Sequence, residues 1–142
     1  MYALPLEDPI YVTTDRNRCS LDAVMQLLGE THWAASRSRE TVRLSMENSL
    51  CFFMLEGDDL VGFARVITDY ATFAYLCDVV VRADQQGNGC GSLLIRSVLT
   101  HPSLAAIPQW RLKTTYAASF YSRFGFQKIS GDTTHMEYFP KH

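Results

Sequence analysis

A chain of 142 residues, 47% apolar and with a formal charge of −2, is sized for one globular domain. Only 20% of its residues are charged, and its Lys and Arg are scattered, which argues against nucleic acid as the main partner. No apolar run is long enough to span a bilayer, so no membrane partner is expected. The opening MYALPLEDPIYVTTDRNR lacks the charged n-region and apolar stretch of a secretory leader.

Cys19, Cys51, Cys77 and Cys90 stand singly, and no CxxC pair exists. His32, His101, His135 and His142 form no ligand pattern with them, so no metal is implied. The pattern reads as reduced thiols in a cytoplasmic protein.

In chain order, the β-branched IYVTT (10–14) predicts a first strand. Ser20 then caps a helix whose Leu21, Val24, Met25 and Leu28 share one face, with Gly29 as its stop. After THWAASR, Ser38 caps a second helix through RETVRLSMEN. LCFFMLE and LVGFARVIT flank GDD and predict a hairpin with a short loop. FAYLCDVVV is nearly continuous in apolar residues, which predicts a central fourth strand. A helix then runs to Thr100 and stops before Pro102. QWRLKTT predicts a fifth strand, and AASFYSRF a short helix ended by Gly125. FQKIS and THMEYF predict two closing strands. This order, with no repeat or long linker, predicts a mixed α+β fold in a single domain over residues 1–142.

Between the fourth strand and its helix lies QQGNGCGS, with glycines at 87, 89 and 91. A dinucleotide fingerprint beginning at Gly87 would need glycine where Ser92 stands, and a Walker loop would need a lysine. The spacing that fits is Gln86-x-x-Gly89-x-Gly91. A helix N-terminus offers unpaired N–H groups and the positive end of a dipole, and glycines let that backbone approach a diphosphate closely.

That motif, in its place between strand and helix, resembles a signature of the GNAT superfamily of N-acetyltransferases. YSRFGF (Tyr121 to Phe126) resembles the second signature, Tyr-x-x-x-Gly-Phe, and the element order is similar across almost the whole chain. The likeness is to small, stand-alone, bacterial-type members. It implies a mixed, mostly antiparallel sheet splayed between strands four and five and flanked by about four helices. It implies acetyl-CoA as co-substrate, with its diphosphate on Gln86, Gly87, Asn88, Gly89, Cys90, Gly91 and Ser92. The backbone of Val79, Val80 and Val81 would bind the pantetheine arm, one N–H facing the thioester carbonyl, where negative charge develops. Tyr121 takes the place of the general acid. The implied reaction is direct acetyl transfer to a primary amine of a small molecule within a ternary complex.

The base is less plain. Asp78 is the only carboxylate within the fourth strand, and burial there would raise its pKa toward a useful range. A structural aspartate accepting backbone N–H groups at a bulge is the equal alternative. Tyr75 and Cys77 are poor bases at neutral pH, which leaves a water chain. Trp33, Arg37 and Tyr75 are the expected acceptor-side residues, with His32, Tyr70 and Phe73 nearby in the same segments. Trp33 reads more readily as core than as pocket wall, and Arg37 as a solvated surface cation. Cys90 in a helix first turn suggests a competing nucleophile, but no histidine lies near it in sequence. A non-catalytic acyl-CoA-binding or regulatory module is the alternative on the same fold, and a nucleotide-binding domain would prefer ATP or NAD. The acceptor's identity and the length of the acyl group stay open, as does the choice between monomer and homodimer.

Overall fold

The computed structural model describes residues 9–140, so residues 1–8 of the stretch read for a leader lie outside it. Its strands are β1 (Ile10–Thr13), β2 (Leu50–Glu56), β3 (Asp59–Thr68), β4 (Ala74–Val81) and β5 (Trp110–Leu112). They form one sheet in sequence order. β1 to β4 pair antiparallel, and β5 joins β4 in parallel. Gly57 (φ 61) and Asp58 close the β2–β3 hairpin, with Glu56 opposite Asp59. A two-residue hairpin turn calls for such a positive φ.

Four α-helices flank the sheet: α1 (Leu21–Leu28), α2 (Arg39–Glu47), α3 (Cys90–Thr100) and α4 (Ala118–Ser122). Ser20 accepts a hydrogen bond from the Ala23 N–H, and Ser38 accepts one from Thr41, so both predicted N-caps operate. Alternation along the strands divides the core in two. On one face Phe53 and Phe63 pack with Val24, Leu27 and Leu28 of α1 and Val42 of α2. On the other, Phe52, Met54, Val66 and Leu76 pack with Leu94, Ile95 and Val98 of α3. The fold is thus the mixed α+β arrangement expected.

Two interruptions of the sheet position the site. Phe63 pairs with Val80 and Arg65 with Cys77, so Ala64 alone faces Asp78 and Val79. This is a β-bulge, and Asp78 sits in it at φ 52. The second interruption lies on the far side of β4. β4 and β5 share only the pairs Ala74–Trp110, Tyr75–Arg111 and Leu76–Leu112. Beyond Leu76 the strands part, which is the splay the resemblance implied.

One expectation is corrected. FQKIS and THMEYF form no strands: residues 126–140 carry no regular structure, and Met136, Tyr138 and Phe139 are exposed. Alternating β-formers make a strand only against a partner's ladder, and β5 offers three residues of edge. Gly29 does stop α1 as predicted, as its C-cap in a right-handed conformation (φ −61). Gly125, at φ 97, does take the left-handed form after α4. No helix among the described residues is long and apolar enough to cross a membrane.

Candidate active site

The three glycines of the turn answer to two separate demands. Gly87 (φ 85) and Gly89 (φ 79) are left-handed, with open space where a Cβ would project. Gly89 is the N-cap of α3 and supplies no side-chain cap. Gly91 packs close to α4: a Cβ there would lie 3.3 Å from the Phe120 ring, which would have to give by a few tenths of an ångström. The first intrahelical bond runs from the Leu93 N–H to the Gly89 carbonyl, at 3.0 Å. The N–H groups of Cys90, Gly91 and Ser92 therefore precede the ladder and stand at the positive end of the helix dipole. The Gln86 side chain turns back and donates to the Val81 carbonyl at 2.9 Å, fastening the turn to the end of β4. Open left-handed glycines beside free N–H groups fit an anionic diphosphate such as that of coenzyme A. The Cys90 side chain is buried among the α3-side core residues and is not presented at the turn.

Where β4 and β5 part, a cavity of about 870 Å³ opens. Tyr75, Cys77 and Val79 line it from β4, and Leu112, Lys113 and Thr114 from β5 and its continuation. Its size is that of a ligand site, not of a packing defect. Tyr121 reaches it from α4. Burial pushes the Tyr121 phenol up to about 12, so it carries its proton throughout the physiological range. Phe120 and Phe126 hold the ring edge-on, with centroids 5.1 and 6.0 Å away.

Asp78 also lines the cavity from β4. Its Oδ2 accepts from Arg37 at 2.7 Å and from Arg65 Nε at 2.9 Å, while Oδ1 accepts from Trp33 Nε1 at 3.0 Å. Arg65 also donates to the Ser49 hydroxyl at 3.0 Å. The expected rise in the Asp78 pKa is reversed. Burial pushes the carboxyl up, but hydrogen bonds and charge from the two guanidiniums outweigh it, and the pKa falls below its ordinary value. The bulge reading of Asp78 also needs amendment, because its partners are side chains and not backbone N–H groups.

Of the residues expected at the acceptor side, Trp33, Arg37 and Tyr75 all line the cavity, as does His32, whose ring lies edge-on to Trp33 at 5.1 Å. Trp33 is 44% exposed, so it is wall and not core. Tyr70 and Phe73 are exposed in the β3–β4 loop and do not reach the cavity. Burial pushes the Cys77 thiol up to about 11, in keeping with its exclusion as a base. Arg65 and Lys113 escaped the sequence reading. Arg65 had a signal, being the one charge inside the otherwise apolar β3 run from Leu60 to Thr68.

With this geometry in view, comparison with known proteins is specific. Residues 47–128 match the model of the acetyltransferase (GNAT) domain. That span holds β2 to β5, the glycine turn and Tyr121. A crystal structure from Xanthomonas campestris pv. campestris, assigned to the GNAT family, is 33% identical. It superposes with a TM-score of 0.87, over 94% of this chain and 95% of that one. The uncharacterized N-acetyltransferase ycf52 of Pyropia yezoensis is 29% identical over 138 residues, 93% of this chain and 78% of the relative. The GNAT family protein SP0256 from Streptococcus pneumoniae TIGR4, at 24% identity and a TM-score of 0.73, shares the fold over 94% of this chain and 98% of its own. The motifs, the parted strands and the matched span agree, and the chain belongs to the GNAT acetyltransferase family.

Proposed function

We propose that this protein moves the acetyl group of acetyl-CoA to a primary amine of a small molecule, by direct attack in a ternary complex. It would do so within a single domain spanning residues 1–142. One observation carries the reading: the glycine turn and the cavity between β4 and β5 both border the carboxyl-terminal half of β4.

Bound acetyl-CoA supplies the acetyl group, activated as a thioester. The backbone of Gly87, Asn88, Gly89, Cys90, Gly91 and Ser92 holds its diphosphate, with Gln86 bracing the turn. Val79, Val80 and Val81 offer their backbone to the pantetheine arm along the β4 edge that β5 leaves free. An N–H on that edge stabilises negative charge on the acetyl oxygen. Tyr121, protonated and at the cavity wall, gives its proton to the departing sulfur. Asp78 is a positioning residue, since both its oxygens are engaged and its lowered pKa makes it a weak base. The amine loses its proton to cavity water, so activity rises with pH as the ammonium titrates. The cysteines are all free thiols, which supports the cytoplasm as the proposed location.

A thiol-release screen of amines, amino acids and peptides, with products identified by mass spectrometry, tests the assignment. The expected result is free CoA in step with an N-acetylated product. Acetyl-CoA bound tightly but consumed with no acceptor would favour the non-catalytic acyl-CoA-binding module.

A further inference from the structure

We infer that the acceptor carries an anionic group, a carboxylate or a phosphate, beside its amine, and that Arg37 receives it. The inference rests on the transferase reading and names the class of its second substrate.

The first observation is charge. Among the described residues, three cations, Arg37, Arg65 and Lys113, line the cavity against one carboxylate, Asp78, together with one histidine, His32. A wall with this excess repels a simple ammonium ion and attracts an anion.

The second is the division of labour between the two arginines on Asp78. Arg65, with its side chain 10% exposed, spends Nε on Asp78 and another nitrogen on Ser49. Arg37 gives Asp78 one nitrogen, and its side chain stays 28% exposed. A guanidinium has five N–H donors in a planar fork, so Arg37 keeps donors for a ligand while the buried carboxylate fixes its position. Trp33 braces the same carboxylate from the other oxygen. An exposed arginine that only solvates a surface needs no such mooring.

The third is what the excess does to chemistry. A bound carboxylate cancels one of the two excess charges and leaves one cation in the cavity wall. A neighbouring like charge disfavours the ammonium and favours the free amine that attacks. This eases the demand for a general base in a site whose one carboxylate is already engaged. A phosphate, with a charge of about −1.5 to −2, cancels most of the excess and gives less of this help.

Calorimetric titration of the full chain, with CoA present, reads the inference directly through matched acetylated products. N-acetyl-leucine is compared with N-isopentylacetamide, and N-acetylethanolamine phosphate with N-acetylethanolamine. At least one anionic member is expected to bind about 10-fold tighter than its neutral partner, and the pair that shows it identifies carboxylate or phosphate. Arg37→Gln removes the advantage, and Arg37→Lys keeps part of it. Equal or weaker binding of both anions, or no binding by any of the four, overturns the inference, and the wild-type chain alone suffices to decide. CoA binding in the same titrations stands apart: its loss would overturn the transferase reading itself.

Discussion

Tyr121 is half-buried and Asp78 buried, yet burial ends in opposite results because only Asp78 has charged partners. Tyr121→Phe removes a hydroxyl and keeps the ring packed on Phe120 and Phe126. Turnover should fall about 10²-fold, or about 3 kcal/mol, the low end for a positioned acid. The deficit should shrink above about pH 8.5, where a thiolate leaves unassisted. With the phenol pushed up to about 12, wild-type turnover should not decline up to about pH 10 through loss of this proton. Equal turnover of the two forms across pH would make Tyr121 a packed ring only. For Asp78 the linkage runs the other way. Its pKa is lowered on folding, so its ion pairs stabilise the fold above the ordinary value of 3.8 and are lost as pH falls through the folded value. Asp78→Asn keeps a residue that tolerates the left-handed backbone and removes the charge. It should cost about 3 kcal/mol near pH 7, since it leaves Arg65 buried without its counter-ion. Urea unfolding should show that gap narrowing below about pH 4. A constant gap would assign the loss to packing instead.

At the scale of elements, what could be read early was what is local. Ser20 and Ser38 cap their helices by bonds that span three residues, and the hairpin closes through adjacent Gly57 and Asp58. The closing strands failed because alternation in THMEYF says nothing about whether a partner strand is long enough to receive it. The Asp78 network was out of reach for the same reason: Trp33, Arg37, Arg65 and Asp78 come from three separate segments, and only folding brings them together. The glycine turn's place between β4 and α3 was legible, but the split among its glycines was not, since Gly91 packs close to Phe120 of α4. That split gives a prediction. Gly89→Val forces a β-branched residue to φ 79 at the start of α3. It should cost about 1–2 kcal/mol in stability. It should also erase the concentration-dependent rise in melting temperature that acetyl-CoA gives the wild type. A variant whose melting temperature still climbs with acetyl-CoA would remove this turn from the cofactor site.

For the whole molecule, the layers explain why the cavity and the glycine turn both adjoin β4. α1 and α2 cover one face of the sheet and α3 the other, so β4 is held from both sides while its β5 edge opens. Under the proposed function, the turn that follows β4 holds the diphosphate and Tyr121, on the cavity wall, is the acid, with no covalent stop on the protein between donor and acceptor. The most direct test uses acetyl-CoA labelled in its acetyl group, the purified chain and an accepted amine, quenched within a single turnover. All transferred label should appear on the amine, with none on the protein, and Cys90→Ala should leave the transfer intact. Label trapped on the protein, and lost in the Cys90→Ala variant, would contradict direct transfer and replace it with an acyl-cysteine route.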